Sequence, residues 1–154
     1  MKIELASFPN SKLDPFLATS PQDTHYNCIA WACGDQTKWY WPDKANYYYW
    51  PKEIPREEKI ENFILLFKLI GHEVCDNGDF ELEYLKIAIY ADQFGKPTHA
   101  ARQLNNGLWT SKLGRGVDIT HTIFSMQDGL YGNVAVFMRK RKSSLFCPDI
   151  DFFG

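Results

Sequence analysis

Apolar residues recur at every third or fourth position from Ile60 through Phe63, Ile64 and Phe67 to Ile70, and beyond Gly71 the period shortens to two. The first pattern predicts an amphipathic helix opened by Pro55-Arg56-Glu57-Glu58, whose carboxylates complement the positive helix start, and closed at Gly71. The second predicts strands over 72–75, 86–91, 98–104, 108–113 and 133–139, with turns at Asp92–Pro97 and Asn105-Asn106-Gly107. Upstream, Cys28-Ile29-Ala30-Trp31-Ala32-Cys33 has the apolar density of a short buried helix, stopped by Gly34. Helices first and antiparallel strands second give an expected α+β fold, with the Ile60, Phe63, Ile64 and Phe67 face laid on the sheet that carries Ile87 and Ile89.

The remaining segments are defined more by composition than by period. Residues 1–24, rich in Pro, Ser, Thr and Asp, suit an extended lead-in, and 143–154 a C-terminal tail. A chain of 154 residues has room for one core, so 1–154 is expected to be one domain. From Trp39 to Pro51 two prolines and an Asp break up a run of Trp and Tyr, which predicts an aromatic loop in place of a helix or central strand.

A net charge of −2 provides no field for nucleic acid. The one basic run, Arg139-Lys140-Arg141-Lys142, reads as a solvated strand end. No segment approaches the ~20 apolar residues of a membrane span, and the first ten residues lack a signal-peptide run. The expected location is therefore cytoplasmic, with export by a dedicated secretion system as the alternative. Cysteines at 28, 33, 75 and 147 do not form a dense framework and are read as reduced thiols.

The candidate chemistry gathers around Cys28. Polar Thr24-His25-Tyr26-Asn27 before it and an apolar run after it put it at a helix start, where amide groups stabilise a thiolate; Cys33, deeper in the run, is read as core. His99, between Thr98 and Ala100 on an alternating stretch, is the candidate base. A base needs an orienting partner, and Asp118, Asn105, Ser111 and His121 are the polar choices downstream. Asp118 is preferred because a carboxylate best stabilises an imidazolium, although Asp118-Ile119-Thr120-His121 also reads as a helix cap. Gln22, six residues before Cys28, is the candidate oxyanion donor. Trp39, Trp41, Tyr48, Trp50 and Trp109 are candidate substrate-binding rings, about half of the loop aromatics being expected instead to cover the core. Zinc on Cys28, Cys33, His72 and Cys75 is weighed and set aside, because Cys28–Cys33 reads as helix. No cofactor is expected.

These residues carry a resemblance. The chain resembles a bacterial family marked by YNCIAWA at Tyr26–Ala32, Trp-x-Trp-Pro at Trp39–Pro42 with a following Tyr-Trp-Pro at Tyr49–Pro51, THAARQL at Thr98–Leu104, and Trp-Thr-Ser-Lys-Leu-Gly at Trp109–Gly114. More distantly it is similar to papain-like hydrolases, including the NlpC/P60 and CHAP amidases. That resemblance implies a papain-like fold with N-terminal helices on an antiparallel sheet, Cys28 as nucleophile, His99 as base, and a peptide, protein or peptidoglycan substrate. Asn27 replaces the Asp or Ser that precedes the cysteine in NlpC/P60 enzymes, and Thr110-Ser111-Lys112 stands where a Glu, Asn or His is expected. The implied function is a cysteine hydrolase of amide bonds, that is, a peptidase, peptidoglycan amidase or protein deamidase. The alternative is a catalytically silent papain-like module that holds a partner protein through the Trp/Tyr loop.

Overall fold

The computed structural model describes residues 1–142, so the expected tail at 143–154, with Cys147, lies outside the described residues. Eight antiparallel strands form one sheet in the order β1-β2-β7-β6-β5-β4-β8-β3. They are β1 (Lys2–Ile3), β2 (Phe16–Ser20), β3 (Glu73–Cys75), β4 (Tyr84–Ala91), β5 (Pro97–Gln103), β6 (Trp109–Lys112), β7 (Asp118–His121) and β8 (Asn133–Arg141). The helices α1 (Cys28–Cys33), α2 (Ile60–Leu69) and α3 (Ile123–Met126) span only six, ten and four residues.

This β-rich architecture corrects the expected α+β, papain-like layout with N-terminal helices. The N-terminal segment supplies two strands of the sheet with a single 3-10 turn, Pro9–Lys12, between them. Phe16 is buried in β2, whose side chains alternate between buried and accessible, and the strand pairs with β7. Its turn-prone composition masks that alternation in the sequence. Asp118–His121 is a strand, and the helix start lies beyond it, where Thr122 accepts a hydrogen bond from the Ser125 amide.

α1 forms where expected. Asn27 caps it by accepting from the Ala30 amide, and Gly34 closes it at φ 84°, in the left-handed region where a Cβ is strained. α2 starts at Ile60, five residues later than its sequence suggests, because side chains take up the carbonyls before it. The Trp50 indole donates to Pro55 O, and the Asn62 amide donates to Glu57 O.

Two core layers flank the sheet. One places Phe63, Leu66 and Phe67 of α2 and Cys28, Ile29 and Ala32 of α1 against Ile87, Ile89, Ala100 and Met138. The other gathers Phe8, Phe16, Ala88, Tyr90, Ala101, Trp109, Ile119 and Met126. The alternation of each strand therefore decides which layer a polar side chain joins.

Candidate functional site

Burial and hydrogen bonding distinguish β5 and its neighbours from the rest of the sheet. The His99 side chain is fully buried. It lies beside Tyr90, its cross-strand neighbour, with ring centroids 5.3 Å apart, and under Tyr131 at 4.1 Å. His99 Nε2 meets Ser111 Oγ at 2.9 Å, Ser111 Oγ meets His121 Nε2 at 2.7 Å, and His121 Nδ1 meets the Thr122 carbonyl at 2.8 Å.

The protons in this chain are fixed from its far end. A carbonyl only accepts, so His121 carries its proton on Nδ1 and leaves Nε2 as an acceptor. Ser111 then donates to His121 and accepts from His99 Nε2–H. His99 Nδ1 is left as an unprotonated lone pair, buried and without a hydrogen-bond partner. Burial pushes the His99 pKa well below its usual range, and the His121 charge adds to the effect. Burial likewise takes His121 down to about 4, so both rings are neutral at pH 7.

Cys28 approaches β5 from the other layer. Its side chain is 7% exposed and shares a core cluster with Ala100, whereas His99, one residue earlier, turns to the Tyr90 side. Burial raises the Cys28 thiol to about 11, opposed by the amides of Ala100, Ile29 and Cys28 and by the charge of Lys112. No hydrogen bond joins Cys28 to His99 Nδ1. The two share a stretch of backbone without touching through their polar atoms. Paired residues of β5 and β6 are Arg102 with Thr110 and Gln103 with Trp109, and the pairing stops before Ala100.

The other candidate residues scatter. Asp118 does not reach His99: its Oδ2 accepts from Tyr26 OH at 2.9 Å and its Oδ1 is buried without a partner. Asn105 accepts from Lys142 at an exposed turn, and Gln22 is exposed. Of the four orienting choices, Ser111 touches His99 and His121 stands behind it. Trp50 and Trp109 are core residues, 4% and 3% exposed, while Trp39, Trp41 and Tyr48 are half-buried. Among the described residues, no group of three or more His, Cys, Asp or Glu gathers to hold a metal ion. No helix there is long and apolar enough to cross a membrane.

Two residues of this site escape a reading by motif. Lys112, its side chain fully buried, sits with its ammonium 5.2 Å from the Tyr26 ring and donates to the carbonyls of Gly114 and Gly116. Extending the β5–β6 register places it opposite Ala100, a position that the strand alternation of Trp109–Lys112 encodes once the pairing is known. Tyr131 follows a turn and carries no periodic signal.

The aromatic loop is tied to α1 through one side chain. Asn27 Oδ1 accepts from the amides of Ala30 and Tyr40, and its Nδ2 donates to Tyr40 O at 2.6 Å. An aspartate could make the first two bonds but not the third. Arg56 fixes the loop's far end, donating to Asp43 and to Tyr48 O.

No curated protein and no solved structure matches the chain. The family model described as a domain of unknown function (DUF7689) matches residues 17–139, from within β2 to within β8, and so encloses Cys28, His99, Ser111, His121 and Tyr131. With most of its length inside that match, the chain belongs to the DUF7689 family.

Proposed function

We propose that the protein is a cysteine hydrolase of amide bonds, with Cys28 as nucleophile and His99 as base. One observation carries the reading: the Ser111–His121–Thr122 chain leaves His99 Nδ1 as a buried, unprotonated lone pair beside the residue whose amide holds Cys28 Sγ. A hydrogen bond that fixes the tautomer of a base is what nucleophilic catalysis asks of an orienting group. Ser111 takes the role first given to Asp118.

In this mechanism the Cys28 thiol proton passes to His99 Nδ1, a transfer that needs the two groups, which share no hydrogen bond in this structure, to come together. The sulfur attacks the amide carbonyl, and the C–N bond breaks as the imidazolium returns its proton to the leaving nitrogen. Water then cleaves the thioester, releasing the acid and restoring the thiol. Lys112 and the Ala100, Cys28 and Ile29 amides stabilise the thiolate during the transfer. Substrates in scope are peptides, proteins and peptidoglycan.

The burial of Cys28, with its thiol at about 11, favours a second reading: a catalytically silent module that holds a partner protein through the Trp39–Trp50 loop. Casein, purified muropeptides and a glutamine-rich protein assayed for ammonia release separate the two. Turnover of any one, lost in Cys28→Ser without loss of folding, supports hydrolysis. No turnover of all three, with wild type and Cys28→Ser alike, overturns it.

A further inference from the structure

At the opposite end of α1 from Cys28 lies a cleft of about 450 Å³ between α1, the end of α2 and strands β4, β5 and β8. Its walls are apolar where Trp31, Ile70 and Ile87 line it, and its charged side chains include Arg102 and Lys140, with no carboxylate among the lining residues. Lys86 also borders it, but its ammonium is turned away to Glu81 and Asn77. Arg102 and Lys140 are uncommitted by comparison.

The guanidinium of Arg102 is held in place without being neutralised. Its Nε donates to Trp31 O at 3.3 Å and its Cζ lies 5.0 Å from the centroid of the Trp31 ring, while both terminal nitrogens have no hydrogen-bond partner among the described residues. Burial lowers the Arg102 pKa, and the charge of Asp118, which does not line the cleft, opposes that only in part. The stem of Lys140 passes over Gly71, whose φ of 102° is one that a side chain rarely adopts. His72, also in the wall, is pushed down to about 4 by burial and by the Lys140 charge, so it is neutral at pH 7 and adds no third cation.

A planar fork with two free donor nitrogens is the side-chain geometry that takes a carboxylate or phosphate edge-on. The volume is that of a small-molecule site, and the apolar wall would take a hydrocarbon body. We infer that this cleft binds a small organic oxyanion, a carboxylate or phosphate on an apolar body, with Arg102 as the fork, Lys140 as the second charge and Ile70 and Ile87 as the apolar wall. The inference does not rest on the hydrolase reading, since neither Cys28 nor His99 lines the cleft.

The test is titration of the ¹⁵N-labelled protein with phenyl phosphate, benzoate and the neutral benzamide, followed through the Trp31 indole and Arg102 Nε–H resonances. Saturable shifts with at least one of the two anions are expected, with benzamide and Arg102→Gln each weaker by about tenfold or more. The tighter of the two anions names the head group. Lys140→Glu, at a half-exposed strand position, provides a second variant and is expected to abolish binding. Failure of both anions to saturate, or benzamide binding as tightly as they do, or Lys140→Glu binding unchanged, overturns the inference.

Discussion

Tyr131 lies flat on His99, their ring centroids 4.1 Å apart and their planes 4° from parallel. The phenol ring therefore covers an imidazole whose other neighbours are Tyr90 and Ser111, and holds it away from water. Tyr131→Ala should open that face and let the His99 pKa climb back toward its ordinary range. Proton NMR of the His99 ring checks it: no titration between pH 5 and 8 in the wild type, titration in the variant. A His99 signal that titrates normally in both would refute the shielding.

Ser111→Ala removes the only hydroxyl between two buried imidazoles, leaving an N–H on His99 and a lone pair on His121 unmatched. The expected loss is ~1–3 kcal/mol in a denaturant melt, together with disappearance of any slowly exchanging His99 Nε2–H resonance. Asp118→Asn should leave that resonance in place, because Asp118 bonds Tyr26 and not His99.

Stability should fall as the solution is acidified from neutrality. His72 and His121 have folded pKa values of about 4, against about 6.5 in the unfolded chain. The unfolded state therefore binds more protons between those limits, so stability is complete above about pH 6.5 and declines as pH drops toward 4, by up to roughly 3 kcal/mol for each ring. Melts at pH 7, 6 and 5 measure the slope, and His72→Gln should flatten it. A melting temperature independent of pH over this range would contradict the burial of these rings.

Phe63→Ala should cost ~3–5 kcal/mol. The ring is fully buried and packs edge-on against Trp41 at 5.3 Å and tilted against Trp50 at 5.2 Å, so its loss unseats the aromatic loop as well as α2. A denaturant melt that shifts by less than 1 kcal/mol would remove Phe63 from the core.

Elements whose signal is local could be read directly from the chain. The Cys28–Cys33 helix has its cap and its left-handed glycine in sequence, and β4, β5 and β8 are runs of seven to nine residues bounded by turn signals. β2 and β7 could not be read that way, being short strands that exist because each finds the other across about a hundred residues. Without them the sheet looked smaller and the fold more helical than it is. The site divided along the same line. Cys28 and His99 stand out by type and by local context, but which side chain meets His99 depends on which face of β6 and β7 meets β5, a property of register that no window of sequence contains. Ser111 was visible as one of four candidates, and only pairing separates it from Asp118, whose side chain belongs to the opposite layer.

Asn27 holds the first turn of α1 and the Tyr40 backbone with the same amide group. Displacing the loop by the length of a hydrogen bond would uncap the helix at the turn that carries the thiol, and fraying that turn would in the same act release the loop. The placement of the aromatic loop and the seating of Cys28 are thus coupled through one side chain, so a shift of the rings would be felt at the sulfur.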